Sequence, residues 1–297
     1  MLYNNLSSYL KEKYGARVGK ICIDGGFTCP NRDGKCGTGG CIFCSERGSG
    51  DHIDGGMSIK EQVERGLRGG RYERYIAYFQ NYTNTYAPID ELKEKYDLAT
   101  GDDRIAVLAI GTRPDCIDED VAGLIASYKD RVDVWVELGL QTASDGIGRA
   151  INRGYDTETF IRASQILNRY SIPFVVHIII GLPNSKEDDV YETVSIINSS
   201  GAWGVKIHSI YVSRGTALEK MYLENLYTPP TLDEFVSTAV GCIERLSPNV
   251  IIHRLTGDCP GGMLVAPEWN RDKNAILDKI RSLLSERGHR QGSLYSL

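Results

Sequence analysis

Residues 104–140 read RIAVLAIGTRPDCIDEDVAGLIASYKDRVDVWVELGL, and this stretch determines the fold class. Its two ends, RIAVLAIG (104–111) and VDVWVELGL (132–140), are apolar runs typical of strands that are buried on both faces. Between them, IDEDVAGLIASYK (117–129) carries apolar residues at helical spacing. A strand, a helix and a second strand in this order predict a parallel pair joined by a right-handed crossover.

The same unit recurs along the chain. Four further apolar segments are predicted as strands: KICIDGG (20–26), RYIAYFQNY (74–82), PFVVHIIIG (173–181) and GVKIHSIYV (204–212). Helices are predicted over 58–68, where Ser58 and Glu61 form a capping box, over 157–170 and over 186–200. These alternating units predict an α/β fold, a partial (β/α)6 TIM-like barrel. A doubly wound sheet is disfavoured because no G-x-G-x-x-G sequence follows the first strand.

The C-terminal part of the sequence has a different pattern. We therefore divide the chain into a barrel core with its N-terminal segment at 1–228 and a small α/β extension at 229–297. A second capping box at 231–234 opens a helix. NVIIHRLTGDCP (249–260) is a candidate strand and loop, and an amphipathic helix is predicted over 271–288.

The composition excludes some classes of function. The 297 residues carry a formal net charge of −5, without the overall basic field of many nucleic-acid binders. Two local basic groups, at 11–20 and 65–74, are expected to be solvated helix faces. No apolar segment reaches the ~18 residues of a membrane helix and no signal peptide is visible, so we expect a cytoplasmic protein. In that reducing compartment, eight cysteines indicate metal or redox chemistry rather than disulfides.

Four of these cysteines lie in the loop after the first predicted strand, CPNRDGKCGTGGCIFC (29–44), with the spacing C-x6-C-x4-C-x2-C. A four-cysteine zinc site usually combines two close pairs, and here only Cys41 and Cys44 form one. A cubane iron–sulfur cluster is the alternative. Such a cluster normally binds four thiolates, and three thiolates would leave one iron open to another ligand. The spacing alone permits either Cys29 or Cys36 as the third ligand.

This loop and six other motifs resemble the radical S-adenosylmethionine (SAM) superfamily, and most closely its bacterial YhcC-type family. That family is related to the Elongator catalytic subunit and to oxygen-independent coproporphyrinogen dehydrogenase. The resemblance covers nearly the whole chain. The motifs are ICIDGGFTCPNRDGKCGTGGCIFC (21–44), FQNYTNTYAP (79–88), GTRPDC (111–116), ELGLQT (137–142), HIIIGLPNSKEDD (177–189), IHSIYVSRGTAL (207–218) and RLTGDCP with APEW (254–260 and 266–269).

The resemblance implies a [4Fe-4S] cluster and SAM as cofactors. The family's C-x11-C-x2-C pattern selects Cys29, Cys41 and Cys44 as cluster ligands and leaves Cys36 as a bystander. In that family the open iron chelates SAM, and one electron from the cluster cleaves it to methionine and a 5′-deoxyadenosyl radical that abstracts hydrogen from the substrate. Two interpretations of Cys259 are open. Either its loop approaches the barrel mouth, or its thiol has no role in the site.

Polar residues at strand ends, and the aromatic residue inside the cysteine loop, are the candidate contacts for SAM. The resemblance and these positions together give Phe43, Gln80, Asn81, Thr112, Glu137, Gln141, Arg153 and His177. Glu137 lies inside an apolar strand, so burying its carboxylate should be costly unless an ammonium, a ribose hydroxyl or a structural arginine pairs with it. Lys206 and His208 share one face of their strand and are expected to meet substrate or to form a polar layer. No catalytic acid, base or hydrogen-atom donor can be identified.

The resemblance implies a radical SAM enzyme whose leading substrate candidate is tRNA. Elongator relatives act on the wobble uridine, and the expected task is to remodel a 5-carboxymethylaminomethyl group toward 5-aminomethyl. An electron donor such as flavodoxin or ferredoxin is the expected protein partner. One alternative is a small-molecule or peptide substrate, which predicts a closed, apolar barrel mouth instead of an open, basic one. The other is a zinc-binding or iron–sulfur protein without enzymatic activity.

Overall fold

Seven parallel strands form one curled sheet, the half-barrel on which the fold is built. The computed structural model describes residues 2–48, 53, 56–259 and 262–296. The strands are β1 (Val18–Ile23), β2 (Arg74–Phe79), β3 (Ile105–Thr112), β4 (Asp133–Gln141), β5 (Phe174–Ile180), β6 (Gly204–Ser209) and β8 (Ile251–Arg254), in that order across the sheet. A short antiparallel pair, β7 (Val212–Ser213) and β9 (Leu264–Ala266), forms a separate sheet.

Helices cover the connections between the strands. They are α1 (Leu6–Tyr14), α2 (Ile59–Arg68), α3 (Ile89–Ala99), α4 (Glu119–Ala126), α5 (Asp145–Ala150), α6 (Thr157–Arg169), α7 (Glu187–Ser199), α8 (Ala217–Leu223), α9 (Leu232–Arg245) and α10 (Lys273–Glu286), with short 3-10 helices at Pro114–Cys116 and Glu268–Arg271. The capping boxes expected at Ser58 and at Thr231 are both formed. Each box satisfies backbone N–H groups at the start of a helix, which is why those two helices begin where the sequence predicts.

The predicted barrel is confirmed, and the sheet is one strand larger than predicted. The six predicted strands occur as β1 to β6 and pair in parallel in chain order. The strand proposed within 249–260 is β8, and it extends the same sheet by pairing with β6 through Gly204 and Ile251. The last predicted strand of the barrel ends at Ser209 instead of 212. The division of the chain at residue 228 stays a prediction.

The two faces of the sheet have different environments. The main apolar core packs the outer face against the helices, with Phe79, Leu138 and Phe174 fully buried. On the inner face, Ile76, Val107 and Trp135 pack with α1 at the amino ends of the strands. The carboxyl ends carry the long loops, and this is the edge at which barrel active sites form. Because β1 and β8 are the two edges of the sheet, the half-barrel is open along its side.

Candidate functional site

The cysteine loop lies at the carboxyl end of β1 and folds as a series of tight turns. The carbonyl of Cys29 accepts hydrogen bonds from the N–H groups of Arg32 and Asp33, at 2.8 and 3.2 Å. The N–H of Cys44 donates to the carbonyl of Cys41 at 3.0 Å. These turns bring together the thiols of Cys41 and Cys44, and Cys29 is close enough to interact electrostatically with Cys44.

The fourth cysteine of the loop points elsewhere. Cys36 is exposed, and its Sγ faces the carboxylate of Asp115 at 3.6 Å. Burial and then the neighbouring Asp115 raise the pKa of the Cys36 thiol. A thiol held beside a carboxylate is disfavoured as a thiolate, which is the form that binds metal. The structure therefore separates Cys36 from the other three cysteines in both contacts and electrostatics.

Positive charge surrounds the thiols of Cys41 and Cys44. The two thiols share a hydrogen bond, which lowers the pKa of Cys41, and Arg113 and Arg32 lower it further. The same bond and burial raise the pKa of Cys44. Two adjacent thiols in this environment ionise one before the other, and the arginines favour the thiolate form that a metal ligand requires.

Two residues of the loop that the sequence did not identify hold it in place. Asn31 is fully buried, donates through Nδ2 to the carbonyl of Asn152 at 2.6 Å and lies 3.9 Å from the Sγ of Cys41. Arg32 donates through Nη2 to the carbonyls of Ser45 at 2.6 Å and Cys44 at 3.3 Å. The only available signal was their position directly after Cys29, within the CPNR sequence.

Phe43 packs against a small apolar cluster. It is partly buried against the group that includes Ile147, Ile151 and Leu182. The N–H of Ile42 donates to the carbonyl of Ile151 at 3.1 Å. Phe43 therefore anchors the last turn of the cysteine loop to the region after β4.

At the ends of β2 and β3, the side chains of Asn81 and Thr112 hydrogen-bond to protein groups. Asn81 is 1% exposed and donates through Nδ2 to Asp24 at 2.8 Å, while its Oδ1 is buried with no hydrogen-bond partner among the described residues. Gln80 is partly buried, and its N–H donates to the carbonyl of Ile23 at 3.2 Å. Thr112 is hydrogen-bonded to Thr85 at 2.6 Å.

The predicted residues on β4 and β5 meet inside the half-barrel. Glu137 is 3% exposed, and its Oε2 lies 2.8 Å from Nε2 of His177 and in an ion pair with Lys206. The Nε1–H of Trp135 donates to Oε1 of Glu137 at 3.3 Å. Burial raises the pKa of Glu137, but the Lys206 ammonium and then the hydrogen bond with His177 outweigh burial and hold that pKa well below its usual range. The ammonium that Glu137 required is thus provided by the protein itself.

Gln141 and Arg153 lie beyond the end of β4. Gln141 has a φ of 66°, next to a register shift between β4 and β5. Arg153 is fully buried, and its guanidinium donates to the carbonyls of Leu140, Thr142 and Tyr155 and to the Asp145 carboxylate. Its N–H groups are therefore used in holding the loop that follows β4.

Arg113 and Tyr155 extend this arrangement towards the cysteine loop. Arg113 donates to both carboxylate oxygens of Asp115, at 2.9 and 2.8 Å, and to the carbonyl of Arg153 at 2.9 Å. The ring of Tyr155 lies between the two guanidinium groups, 4.7 Å from that of Arg113 and 4.8 Å from that of Arg153. Tyr155 was not identified from the sequence because a single tyrosine in a loop gives no distinguishing pattern.

The C-terminal loop also reaches this edge of the sheet. The N–H of Gly257 donates to Oγ of Ser209, at the carboxyl end of β6, at 2.7 Å. Cys259 follows in the same loop and is partly buried, whereas Pro260 lies outside the described residues. Within the described ranges, no three His, Cys, Asp or Glu side chains are arranged to hold a metal ion together. Among the same residues, no helix is long and apolar enough to cross a bilayer.

Comparisons with known proteins agree with this geometry. Residues 32–197 match the Radical SAM superfamily, and residues 202–286 match the Radical_SAM C-terminal domain. The chain is similar to the uncharacterized protein YtqA of Bacillus subtilis, with 36% identity over 99% of this chain and 92% of YtqA. It is 34% identical to protein YhcC of Escherichia coli, over 97% of this chain and 94% of YhcC.

More distant relatives share part of their length with the chain. The tRNA uridine(34) acetyltransferase of Dehalococcoides mccartyi is 27% identical over 63% of this chain and 40% of that enzyme. The solved structure of Elp3 from Methanocaldococcus infernus, with an N-terminus deletion, superposes with a TM-score of 0.72 at 18% identity. The superposition covers 92% of this chain and 64% of the Elp3 chain. At that identity the superposition shows a common fold.

Proposed function

Because the chain belongs to the radical SAM superfamily, we propose that Cys29, Cys41 and Cys44 hold its iron–sulfur cluster and that its substrate is a modified uridine of tRNA. The protein is a radical SAM enzyme that takes a [4Fe-4S] cluster and SAM as cofactors.

The observation that carries the ligand assignment is the grouping of three thiols apart from the fourth. Cys44 interacts with both Cys41 and Cys29, whereas Cys36 faces Asp115. Each thiolate of a cubane cluster binds a different iron, so the three ligands need not converge on one point as they do around a single zinc ion. Arg32 and Arg113 offset the negative charge that thiolate ligands bring.

The proposed SAM contacts are Phe43, Gln80, Asn81, Thr112, Glu137, Gln141, Arg153 and His177. When bound, the cluster and SAM supply a carbon-centred radical that abstracts a hydrogen atom from the substrate. Asn81 has an unpartnered Oδ1 for a donor such as an amino group. Arg153 acts by fixing the loop after β4, because its donors are engaged there. Glu137 and His177 act together as one hydrogen-bonded pair.

The tRNA assignment is supported by two kinds of observation. The named relative that acts on tRNA uridine(34) shares 63% of this chain's length. The half-barrel is open at its side and its interior is polar and charged, with Glu137, His177 and Lys206 on β4, β5 and β6. A small apolar metabolite would favour a closed, apolar mouth. We therefore favour a wobble-uridine side chain, remodelled from 5-carboxymethylaminomethyl toward 5-aminomethyl.

The proposed reaction requires an electron donor, for which a flavodoxin or a ferredoxin is the expected partner, and it places the enzyme in the cytoplasm with tRNA. On the side of the molecule at the amino ends of β1 and β2, Arg17 and Arg71 line one surface cavity with Tyr72 and Glu73. This cavity combines basic residues from two parts of the sequence. It supports an affinity for phosphate even though the net charge of the chain is −5.

The cluster assignment is tested with a matched pair of variants. Cys29→Ala is expected to lose the visible absorbance of the reconstituted cluster and the cleavage of SAM to 5′-deoxyadenosine. Cys36→Ala is expected to keep both, because its thiol faces Asp115. The assignment would fail if Cys36→Ala lost the cluster and Cys29→Ala retained it.

The substrate is tested in the source organism by mass spectrometry of tRNA nucleosides. Deleting the gene is expected to remove one wobble-uridine derivative and to accumulate its precursor. Complementation with the wild type or Cys36→Ala restores the derivative, and Cys29→Ala does not. Identical nucleoside profiles with and without the gene would exclude the tRNA assignment and leave the superfamily membership intact.

A further inference from the structure

The inner face of the half-barrel holds more positive than negative charge around the level of Lys206. Lys20 lies on β1, Lys206 on β6 and Arg254 on β8, where Arg254 is the register partner of Lys206. Since β1 and β8 are the edges of the sheet, Lys20 and Arg254 lie on the two sides of the opening. Lys206 lies deeper, with its side chain 7% exposed.

One aromatic ring connects two of these cations. The Nζ of Lys20 lies 5.4 Å from the ring centroid of Tyr78, and the Nζ of Lys206 lies 4.6 Å from it. Lys206 also lies 3.4 Å from the Tyr78 hydroxyl. Arg254 is near enough to Lys206 and His208 to lower the pKa of both side chains. The three cations therefore surround one part of the interior.

The protein does not balance this charge. Glu137 is the carboxylate at this level, and it already contacts Trp135, His177 and Lys206. Lys20 has no ion pair with any carboxylate among the described residues. Arg254 lies 3.6 Å from Asp258, but that carboxylate is shared with Lys273, at 2.6 Å.

The neighbouring histidines do not change this balance at neutral pH. Burial lowers the pKa of His177, His208 and His253, in the last case to about 3. The ring of His208 lies 5.2 Å from that of His177, and its buried Nε2 has no hydrogen-bond partner among the described residues. These neutral rings provide polar walls around the cations without adding charge to the interior.

We propose that Lys20, Lys206 and Arg254 form an anion subsite that receives a carboxylate of the substrate inside the half-barrel. Bringing cations together in a partly desolvated site is costly unless an anion completes it, and a bound carboxylate gains charge-assisted hydrogen bonds there. Glu137 is the counter-ion that keeps Lys206 charged before substrate binds. Under the proposed function, on which this step rests, the carboxylate is that of the carboxymethylaminomethyl group. An RNA phosphate has the same charge chemistry, so the test must separate the two sources.

The first test compares two synthetic anticodon stem-loops that differ only at the wobble uridine. One carries 5-carboxymethylaminomethyl and the other carries 5-aminomethyl, which lacks the carboxylate. Their backbones are identical, so the ratio of their Kd values with reconstituted, SAM-loaded enzyme isolates the carboxylate. We expect the carboxylate-bearing loop to bind about tenfold more tightly, the size expected for one charge-assisted hydrogen bond.

Three variants locate the effect. Lys20→Met is expected to bring the ratio close to one. The double variant Glu137→Gln with Lys206→Met is also expected to bring the ratio close to one, and it removes both partners of their ion pair together. Lys60→Met, at an exposed position on α2, is the matched control and should keep the wild-type ratio. A tenfold preference that persists in both of the first two variants would place the carboxylate elsewhere and overturn the proposal.

The second test does not depend on RNA. Crystals of the enzyme soaked in bromide are expected to show an anomalous peak within hydrogen-bonding distance of Lys206, and Lys20→Met crystals are expected to lose it. If bromide binds but neither stem-loop does, the anion subsite stands and the proposed tRNA function fails. If bromide binds and the two stem-loops have equal affinity, the subsite does not contact the wobble carboxylate and the carboxylate assignment is wrong. No bromide peak, together with equal affinities, would reject the subsite itself.

Discussion

At the scale of single residues, the buried charge of Glu137 has a clear energetic consequence. Its carboxylate is 3% exposed and compensates the buried ammonium of Lys206. Removing one partner of a buried ion pair leaves the other charge without compensation, which typically costs about 3–5 kcal/mol. The stability of the half-barrel interior therefore depends on both partners being present or both being absent.

Glu137→Gln is accordingly expected to lower the free energy of unfolding by about 3 kcal/mol, and adding Lys206→Met is expected to recover most of that loss. Urea unfolding at pH 7 measures both changes. Glu94→Gln, at an exposed position on α3, is the control and should change stability by less than about 0.5 kcal/mol. If the single and the double variant were equally destabilised, the lost ion pair would not explain the lower free energy of unfolding.

His253 offers a second residue-scale prediction, because both of its ring nitrogens are buried and neither is hydrogen-bonded among the described residues. It packs against Trp135 and Trp203, and burial lowers its pKa to about 3. The unfolded chain, with a histidine pKa near ~6.5, binds a proton in the window between these values that the folded state does not bind. Stability is therefore lost as the pH falls from about 6.5 towards 3, by up to about 1.4 kcal/mol per pH unit.

The variant His253→Phe removes this titration and retains an aromatic ring between the tryptophans. Its free energy of unfolding at pH 7 is expected to be equal to or above that of the wild type, since two unpaired nitrogens are eliminated. Between pH 6.5 and 4.5 its stability should fall less steeply, as urea midpoints at several pH values would show. Parallel curves for the two proteins would mean that His253 titrates normally in the folded state.

The sequence predicted what Glu137 needed but not which residue would supply it. A carboxylate within VDVWVELGL had to be paired, and an ammonium was among the expected partners. Lys206 is 69 residues away, and only the closure of the sheet brings β4 and β6 to the same interior. For Arg153, the motif identified the residue as a candidate, but it did not predict that its guanidinium donates to backbone carbonyls.

At the scale of elements, contact between α2 and β1 positions the strand that leads into the cysteine loop. A Cβ added at Gly66 on α2 would lie 2.7 to 2.9 Å from three side-chain carbons of Ile21. Ile21 is 6% exposed and β-branched, so it has little freedom to move away. Glycine at this position allows the helix to lie close to the strand.

Gly66→Ala is therefore expected to destabilise the protein by about 1–2 kcal/mol, since the overpacking exceeds the gain in helix propensity of about 1 kcal/mol. Gly123→Ala on α4 is the matched control, because its added Cβ would lie no closer than 3.8 Å to the ring of Tyr170. The control should be stabilising by about 0.5–1 kcal/mol. Thermal or urea unfolding measures both, and a stabilising Gly66→Ala would show that the helix does not press on Ile21.

Most elements could be predicted because their local signals agreed with the fold. Apolar runs located β1 to β6, and the capping boxes at Ser58 and Thr231 located the starts of α2 and α9. The strand β8 was proposed, but its place in the barrel was not. It has only the four residues Ile251–Arg254, and the insertion of β7 and α8 between β6 and α9 interrupts the regular spacing of the units.

At the scale of the whole molecule, the C-terminal segment extends the half-barrel by one strand. The strand β8 continues the sheet beyond β6, and α9 buries Phe235, Val240 and Ile243 completely. The two ends of the chain are also joined, since the N–H of Gln291 donates to the carbonyl of Leu2 at 2.9 Å. The proposed anion subsite takes Arg254 from this same segment.

A chain cut after residue 228 is consequently expected not to fold. Each large apolar side chain of α9 that loses its buried position forfeits about 1.5–3 kcal/mol, and three or four of them equal the whole stability of a typical domain, about 5–15 kcal/mol. Circular dichroism and limited proteolysis of residues 1–228 should show a non-cooperative, protease-sensitive chain. Co-expression of 229–297 as a separate fragment is the control, since it restores the missing contacts and should recover a cooperative transition. If residues 1–228 alone unfold cooperatively, the extension is a separate domain and the barrel is complete with six strands.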